Sequence, residues 1–485
     1  MTSSTELATS STERQKLPLS SLTAMVIGSM VGAGIFNLPG RFATATGPFG
    51  ALIAWAIAGG GMYTLARVFQ ALAEKRPDID NGVFAYAKAG FGDYVGFLSA
   101  FGYWIGSVLG NVFYWVLITA TLGRFFPEIF GNGASVVAII VSLVGVWAFH
   151  FMILRGVREA TYINTIVTIA KMVPLILAVV LFVFLFKYSQ FSENFFGGIG
   201  MPEKSLIAQV RDTMLITVFV FIGVEGASVY SRYATKRSDI GAAIIIGFVG
   251  VTGLMVAITL LPYAAAPRAA ISGVANPSLA GALELAVGHW GAVMISIGVL
   301  VSVLGAFLAW TLIVAEVMFA AGQSKDMPRI FAAQNVNGVP AVALWVSNIV
   351  VSLFIISNYW SRDAFNLMLD MCSVTSLLPY LLVAAYGVQV ARSGVGYEKA
   401  PDERGRDQIF AWIAAVYTIF MFIAAGLKYV LLMTVLFAPG TILYFWARRE
   451  QDARMFTPVE FGIFATTLIA AAIGVYSLAT GLITP

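Results

Sequence analysis

Charge is scarce in this chain. Asp, Glu, Lys and Arg supply only 11% of its 485 residues, against roughly 25% in an ordinary soluble domain. With 59% of residues hydrophobic, a soluble fold would leave much of its apolar surface in water, which excludes that class. Cysteine occurs once, as Cys372 in an apolar stretch, so no disulfide framework exists and redox chemistry is disfavoured. The two histidines, His150 and His289, are too few and too scattered for a metal site. No Walker-type Gly-Lys-Ser/Thr sequence is present, so nothing points to ATP as a driving force or to any bound cofactor. No catalytic constellation supports a membrane enzyme, and no helix carries the continuous polar stripe of a channel. The net charge of +4 is no sign of nucleic-acid binding, because Lys and Arg in such a chain mainly report topology.

What the chain does have is long apolar runs. Stretches such as 136–154, 169–186 and 242–261 are each long enough to cross about 30 Å of hydrocarbon. The expected class is an all-α polytopic membrane protein embedded in a lipid bilayer. Thirteen segments are expected, at 19–40, 49–73, 94–123, 133–154, 162–186, 209–231, 240–263, 285–320, 341–358, 364–391, 409–427, 429–447 and 458–481. They are numbered helices 1 to 13 below. The junction at Lys428 leaves a count of twelve or thirteen open. Residues 1–20 are polar and Ser/Thr-rich without a cleavable signal pattern, so helix 1 is expected to act as the targeting signal.

Lys and Arg set the orientation. The segment ends on one side collect 20 of the 29, including Arg14, Lys16, Arg67, Lys88, Arg155, Arg237, Lys325, Arg404 and Arg448. The other side holds eight, namely Arg41, Arg124, Lys187, Lys204, Arg211, Arg268, Arg362 and Lys428, while Lys171 lies inside a segment. The positive-inside rule places the first set, with the N-terminus, in the cytoplasm.

Two segments are interrupted by glycine. Helix 1 runs from Ile27 to Phe36 with three glycines in seven residues, Gly28, Gly32 and Gly34. Helix 6 reads Phe221-Ile222-Gly223-Val224-Glu225-Gly226-Ala227-Ser228. Irregular backbone at membrane depth is tolerated only inside protein or around a cavity, and a half-helix N-terminus offers free amides to an anion. The alternative is that these glycines permit close helix packing. Breaks five helices apart fit two five-helix halves in inverted repeat, with a binding site between them. The expected organisation is a cytoplasmic tail at 1–18 and a ten-helix core at 19–391, with repeats at about 19–186 and 209–391. A cytoplasmic loop at 392–408 and further C-terminal helices at 409–485 complete it.

Several motifs converge. Helix 1 reads Gly32-Ala33-Gly34-Ile35-Phe36-Asn37-Leu38-Pro39, followed by Gly47-Pro48-Phe49-Gly50, Gly82-Val83-Phe84-Ala85-Tyr86, Gly102-Tyr103-Trp104 and the helix 6 stretch. Over about residues 18–447 the chain resembles the amino acid–polyamine–organocation transporters, in their basic amino acid/polyamine antiporter branch, nearest the bacterial arginine–ornithine antiporters. The resemblance implies a leucine-transporter-type fold of five plus five helices in inverted repeat, with discontinuous helices 1 and 6. It implies a sodium-independent exchanger of arginine for ornithine, working by alternating access in the bacterial cytoplasmic (inner) membrane. Both substrates carry about one positive charge, so one-for-one exchange is electroneutral. Other readings are a lysine–cadaverine or similar cationic amino acid/polyamine antiporter, a proton-coupled symporter, and a nutrient receptor on a transporter scaffold. A homodimer is an expectation carried by the resemblance alone.

The resemblance also assigns residues. Ser29, Gly32, Ala33 and Gly34 would hold the substrate carboxylate, although Ala33 stands where relatives often carry Ser and so offers no hydroxyl. Phe219 fits the aromatic gate of helix 6, and Trp310 the ring of helix 8 that packs on the substrate's aliphatic part. Ring faces suit a cation, with attraction of about 2 kcal/mol or more when desolvated, though most aromatic residues in such a chain face lipid or core. Tyr103 and Asn111 match a pair near the guanidinium or distal amine; a neighbouring helix is the competing partner for Asn111. Ionisable residues inside a membrane cost about 2.5–3.5 kcal/mol each on insertion scales and mark function by default. Glu225 in the helix 6 break would link substrate occupancy to gate closure, or else cap exposed amides. Lys171 would stand where sodium-coupled relatives bind their ion, or else pair helix 5 with helix 1 or 8. Glu316 and Asp370 would attract a cationic substrate, Glu316 alternatively pairing with Lys171. Thr375 and Ser376, before Pro379, are further candidates for lining the site.

Overall fold

The computed structural model describes residues 19–79, 83–156, 160–201, 204–225, 237–361 and 363–483. Its regular structure is helical, with no strand among the described residues. Nine helices there are long and apolar enough to cross a membrane. They are Pro48–Lys75, Asp93–Phe125, Val136–Leu154, Ala242–Ala264, His289–Gln323, Ala341–Trp360, Ala364–Ser393, Pro401–Arg449 and Pro458–Ala479. The 49-residue helix Pro401–Arg449 holds a non-helical residue, Gly426, at φ 80° and ψ 165°. Dividing it there, and adding helix 5 (Ala160–Phe184) with the interrupted helices 1 and 6, accounts for the thirteen expected segments.

Helix 1 is in three pieces: an α-helix at Leu19–Met30, a 3-10 turn at Ala33–Asn37 and a second α-helix at Leu38–Ala45. Gly32 is extended at φ −99° and ψ −169°, and no side chain caps the turn that follows. Pro39 lies in the first turn of the second half, where its missing N–H costs nothing. Helix 6 breaks likewise. Leu206–Arg211 and Met214–Phe221 are helical, then Ile222 leaves the helical region and Gly223 takes φ 107°. A positive φ suits glycine because no Cβ meets the carbonyl. Gly226, Ala227 and Ser228 of the expected motif lie outside the described residues.

Helix 3 forms the axis of the fold. In its apolar window 94% of residues are buried, and it packs against helices 8, 9 and 10. Helix 13 lies at the periphery, with 17% of its window buried. A capping box between Thr457 and Glu460 starts it, and Glu460 also accepts the Tyr94 N–H of helix 3 at 2.9 Å. Around the same end of the bundle, Lys88 pairs with Asp326 at 2.7 Å, and Arg448 pairs with Asp93 at 2.8 Å. Helix 11 begins at Pro401, earlier than the 409 expected. Proline at the first turn with Asp402 and Glu403 behind it suits a helix start, so the expected loop at 392–408 is partly helix.

Candidate functional site

Between the two breaks lies a small cavity with an open mouth. Five helices line it. Helix 1 contributes Met30, Gly32 and Gly34; helix 3 Ser107, Gly110 and Tyr114; helix 6 Phe219, Val220 and Ile222; helix 8 Trp310; helix 10 Cys372 and Ser376. Helix 1 meets helix 6 closely here. A Cβ placed on Gly34 would lie 2.5 Å from the Phe219 ring, and Phe219 is held edge-on against Phe113 at 4.9 Å between centroids.

The structure therefore brings Gly32, Gly34, Phe219 and Trp310 of the expected residues to one cavity, with Ser376. Ala33 is fully buried and does not face the cavity, although its neighbours do. The Ser29 side chain lies outside what the structure describes. Tyr103 and Glu225 stand together behind the lining. The Tyr103 hydroxyl donates to Glu225 Oε1 at 2.6 Å. Oε2 accepts the Tyr380 hydroxyl at 2.8 Å and the Gly223 N–H at 3.0 Å. One buried carboxylate thus joins the helix 6 break to helices 3 and 10, through charge-assisted hydrogen bonds of the short, strong kind. The Tyr103 phenol, expected near the distal end of the substrate, thus donates to this acid.

Asn111 has the neighbouring-helix partner weighed for it. Its Nδ2 donates to Thr311 Oγ1 of helix 8 at 3.4 Å, while Oδ1 is buried with no partner among the described residues. Thr375 donates to the Met371 carbonyl at 2.8 Å and lies beside the lining rather than in it. Glu316 sits on an exposed face of helix 8 and does not line the cavity. No ion pair joins it to Lys171, whose ammonium, on a residue 4% exposed, donates to the Gly28 carbonyl at 2.5 Å. Lys171 therefore ties helix 5 to helix 1 immediately before the break.

Asp370 is also committed elsewhere. It pairs with Arg41 of helix 1 at 2.6 Å and accepts the Tyr429 hydroxyl of helix 12 at 2.7 Å. This clamp fastens the second half of helix 1 across helix 10. Removing one partner of a buried pair strands the other charge, at about 3–5 kcal/mol. Asp370→Ala should lower the thermal stability of the detergent-purified protein by about 3 kcal/mol. The Arg41→Ala/Asp370→Ala pair should cost clearly less than the two single variants summed.

Sequence reasoning did not single out Tyr114, Tyr380 or Arg41, the partner of Asp370. The signal available was a polar group in an apolar helix, which Tyr114 shares with many aromatic residues of this chain. Among the described residues no cluster of three or more His, Cys, Asp or Glu could hold a metal ion.

Residues 17–445 match the family model described as amino acid permease. An arginine/ornithine antiporter of Pseudomonas aeruginosa is 47% identical over 476 residues, covering 97% of this chain and 98% of that protein. An arginine/agmatine antiporter of Chlamydia abortus is 37% identical over 440 residues, 90% of each. Among solved structures, MhsT in complex with L-phenylalanine superposes with a TM-score of 0.58 at 16% identity, over 85% of this chain and 99% of that one. That likeness concerns the fold.

Proposed function

This chain belongs to the amino acid permease family, and from that premise we propose that it exchanges extracellular arginine for intracellular ornithine by alternating access. It is a multi-pass membrane transporter rather than an enzyme, with the leucine-transporter-type fold of five plus five helices in inverted repeat and interrupted helices 1 and 6. The observation that carries the proposal is the cavity shared by both breaks and lined by Trp310. Its shape and chemistry suit an α-amino acid with a long cationic side chain. The substrate carboxylate sits at the start of the turn Ala33–Asn37, which no side chain caps, the α-amine on carbonyls of the breaks, and the side chain against Trp310.

Two latches flank this site. On the side assigned to the exterior, the Arg41–Asp370 pair holds the second half of helix 1. Nearer the cytoplasm, Glu225 holds Tyr103 and Tyr380 and senses the state of the helix 6 break. Rocking of the bundle exposes the cavity alternately, and the loaded form crosses more readily than the empty one. The N-terminus is cytoplasmic by the distribution of Lys and Arg, and the bacterial relatives favour the inner membrane as its location.

Lys171 supplies a fixed positive charge at the helix 1 break, so the exchanger needs no sodium. Exchange should run at an unchanged rate in sodium-free buffer. Lys171→Ala, which leaves the Gly28 carbonyl without this donor, should lower the rate by about ten-fold, the equivalent of about 1.4 kcal/mol. A wild-type rate that requires sodium would contradict this role.

The relative named as an arginine/agmatine antiporter favours agmatine as the second candidate for the returning substrate. Radiolabelled arginine uptake into proteoliposomes loaded with ornithine, agmatine, cadaverine, histamine or nothing separates the readings. Fast uptake only against internal ornithine or arginine is expected. Uptake driven by agmatine or cadaverine would replace ornithine with a diamine, and equal uptake into empty vesicles would overturn exchange.

A further inference from the structure

Among the described residues the cavity is lined by three with side-chain hydroxyls, and they are not equivalent. Ser107 Oγ donates its proton to the Tyr103 carbonyl at 2.8 Å, and Ser376 Oγ to the Cys372 carbonyl at 2.8 Å. A hydroxyl has one proton to give, so both serines have only lone pairs left for a ligand. The third is Tyr114. The residue is 5% exposed and lines the cavity, and its hydroxyl forms no hydrogen bond with any other described residue. This hydroxyl opens on the space where a ligand would lie.

Its position within the cavity is specific. A Cβ placed on Gly32 would lie 3.9 Å from the Tyr114 oxygen, so the phenol reaches the break in helix 1 rather than the far wall. Phe113, the preceding residue, is packed against Phe219 and Phe365 with centroids 4.9 Å apart in each case, which fixes helix 3 at this level. At the break itself, Ala33 brings only a methyl group. A carboxylate accepts hydrogen bonds and donates none. Of the three hydroxyls among the described residues, Tyr114 alone has a proton to offer it, while Ser107 and Ser376 present acceptors suited to a cationic group.

We propose that the Tyr114 hydroxyl is the side-chain anchor of the substrate carboxylate, donating to it from helix 3 opposite the backbone amides of the helix 1 break. The proposal rests on the reading of this cavity as an amino acid site and adds what selects an amino acid over the corresponding amine. Polarity divides the cavity. The end at Tyr114 and the turn after Gly32 donates and takes the anion, and the Ser107–Ser376 side accepts and takes the cation.

The test compares ligands that differ only in the carboxylate. Equilibrium binding of arginine and of agmatine is measured on the purified full-length protein and on Tyr114→Phe, which keeps the ring and removes the hydroxyl. The expected result is an arginine affinity lower by about ten-fold, as for a lost hydrogen bond to a charged group, with agmatine affinity unchanged. The ratio of the two affinities does not depend on how much of the variant folds. Equal losses for both ligands, or no loss for either, would overturn the assignment of Tyr114 while leaving the amino acid site in place. Failure of the unaltered protein to bind arginine would overturn that site and this assignment together.

Discussion

Glu225→Ala should abolish exchange while leaving arginine binding nearly intact. Its carboxylate takes hydrogen bonds from the Tyr103 and Tyr380 hydroxyls and from the Gly223 N–H. These come from helix 3, from helix 10 and from the helix 6 break itself. Hydrogen bonds to a charged group contribute about 1.5–3 kcal/mol each, so their joint loss unfastens three elements at the point where the break must change shape. Glu225 does not line the cavity. The exchange rate should therefore fall by about a hundred-fold or more, the equivalent of about 2.7 kcal/mol of barrier, while arginine affinity moves by no more than about three-fold. Glu225→Gln should be impaired as well, because its amide presents a donor to at least one of these donors. Initial rates of radiolabelled arginine exchange, set beside equilibrium binding on the same preparations, check both halves. Exchange by Glu225→Ala at the wild-type rate would remove this residue from the gate.

Gly34→Ala should have the second large effect, this time on binding. The added methyl would lie 2.5 Å and 2.9 Å from two carbons of the Phe219 ring and 2.9 Å from Val220 Cγ1. None of these can swing away, because Phe219 is wedged against Phe113 and Val220 is 3% exposed. Relief comes only by separating helix 1 from helix 6, which pulls apart the two walls that share the substrate. Overpacking of this kind costs about 1–3 kcal/mol, and arginine affinity should drop by about ten- to hundred-fold. Gly60→Ala is the matched control, since a Cβ there meets nothing within 4 Å. Binding titrations on the two variants should differ sharply. Wild-type affinity in Gly34→Ala would mean that the contact between the two breaks is not what shapes the site.

Much of this architecture was legible because a bilayer leaves few choices. Apolar runs of sufficient length had to become helices, and glycine clusters inside them had to mark interruptions. Both breaks lie within the stretches expected, at Gly32 and at Ile222–Gly223. The division of helices 11 and 12 falls at Gly426 rather than Lys428, because glycine tolerates the positive φ that ends a helix. Partnerships were much less legible. Arg41 and Asp370 are 329 residues apart in the chain, and Tyr380 and Glu225 are 155 apart. Nothing local marks either pair, since each belongs to a helix whose own pattern is merely apolar. The cost of intramembrane charge flagged Glu225, Lys171, Glu316 and Asp370 alike. It could not say that Asp370 is neutralised by Arg41, that Lys171 serves a carbonyl, or that Glu316 lies on an exposed face away from the cavity. Tyr114 gave no signal that set it apart from the other aromatic residues, because its role depends on which hydroxyl protons in the cavity are already spent.

The central claim is obligatory exchange of two ligands of equal charge, and simultaneous flux measures it directly. Proteoliposomes loaded with tritiated ornithine and exposed to carbon-14 arginine, in sodium-free buffer with the membrane potential clamped at several values, report influx and efflux together. One ornithine should leave for each arginine that enters, at a rate that does not change with potential. Arginine accumulation without ornithine efflux, or a rate that follows the potential, would contradict the account.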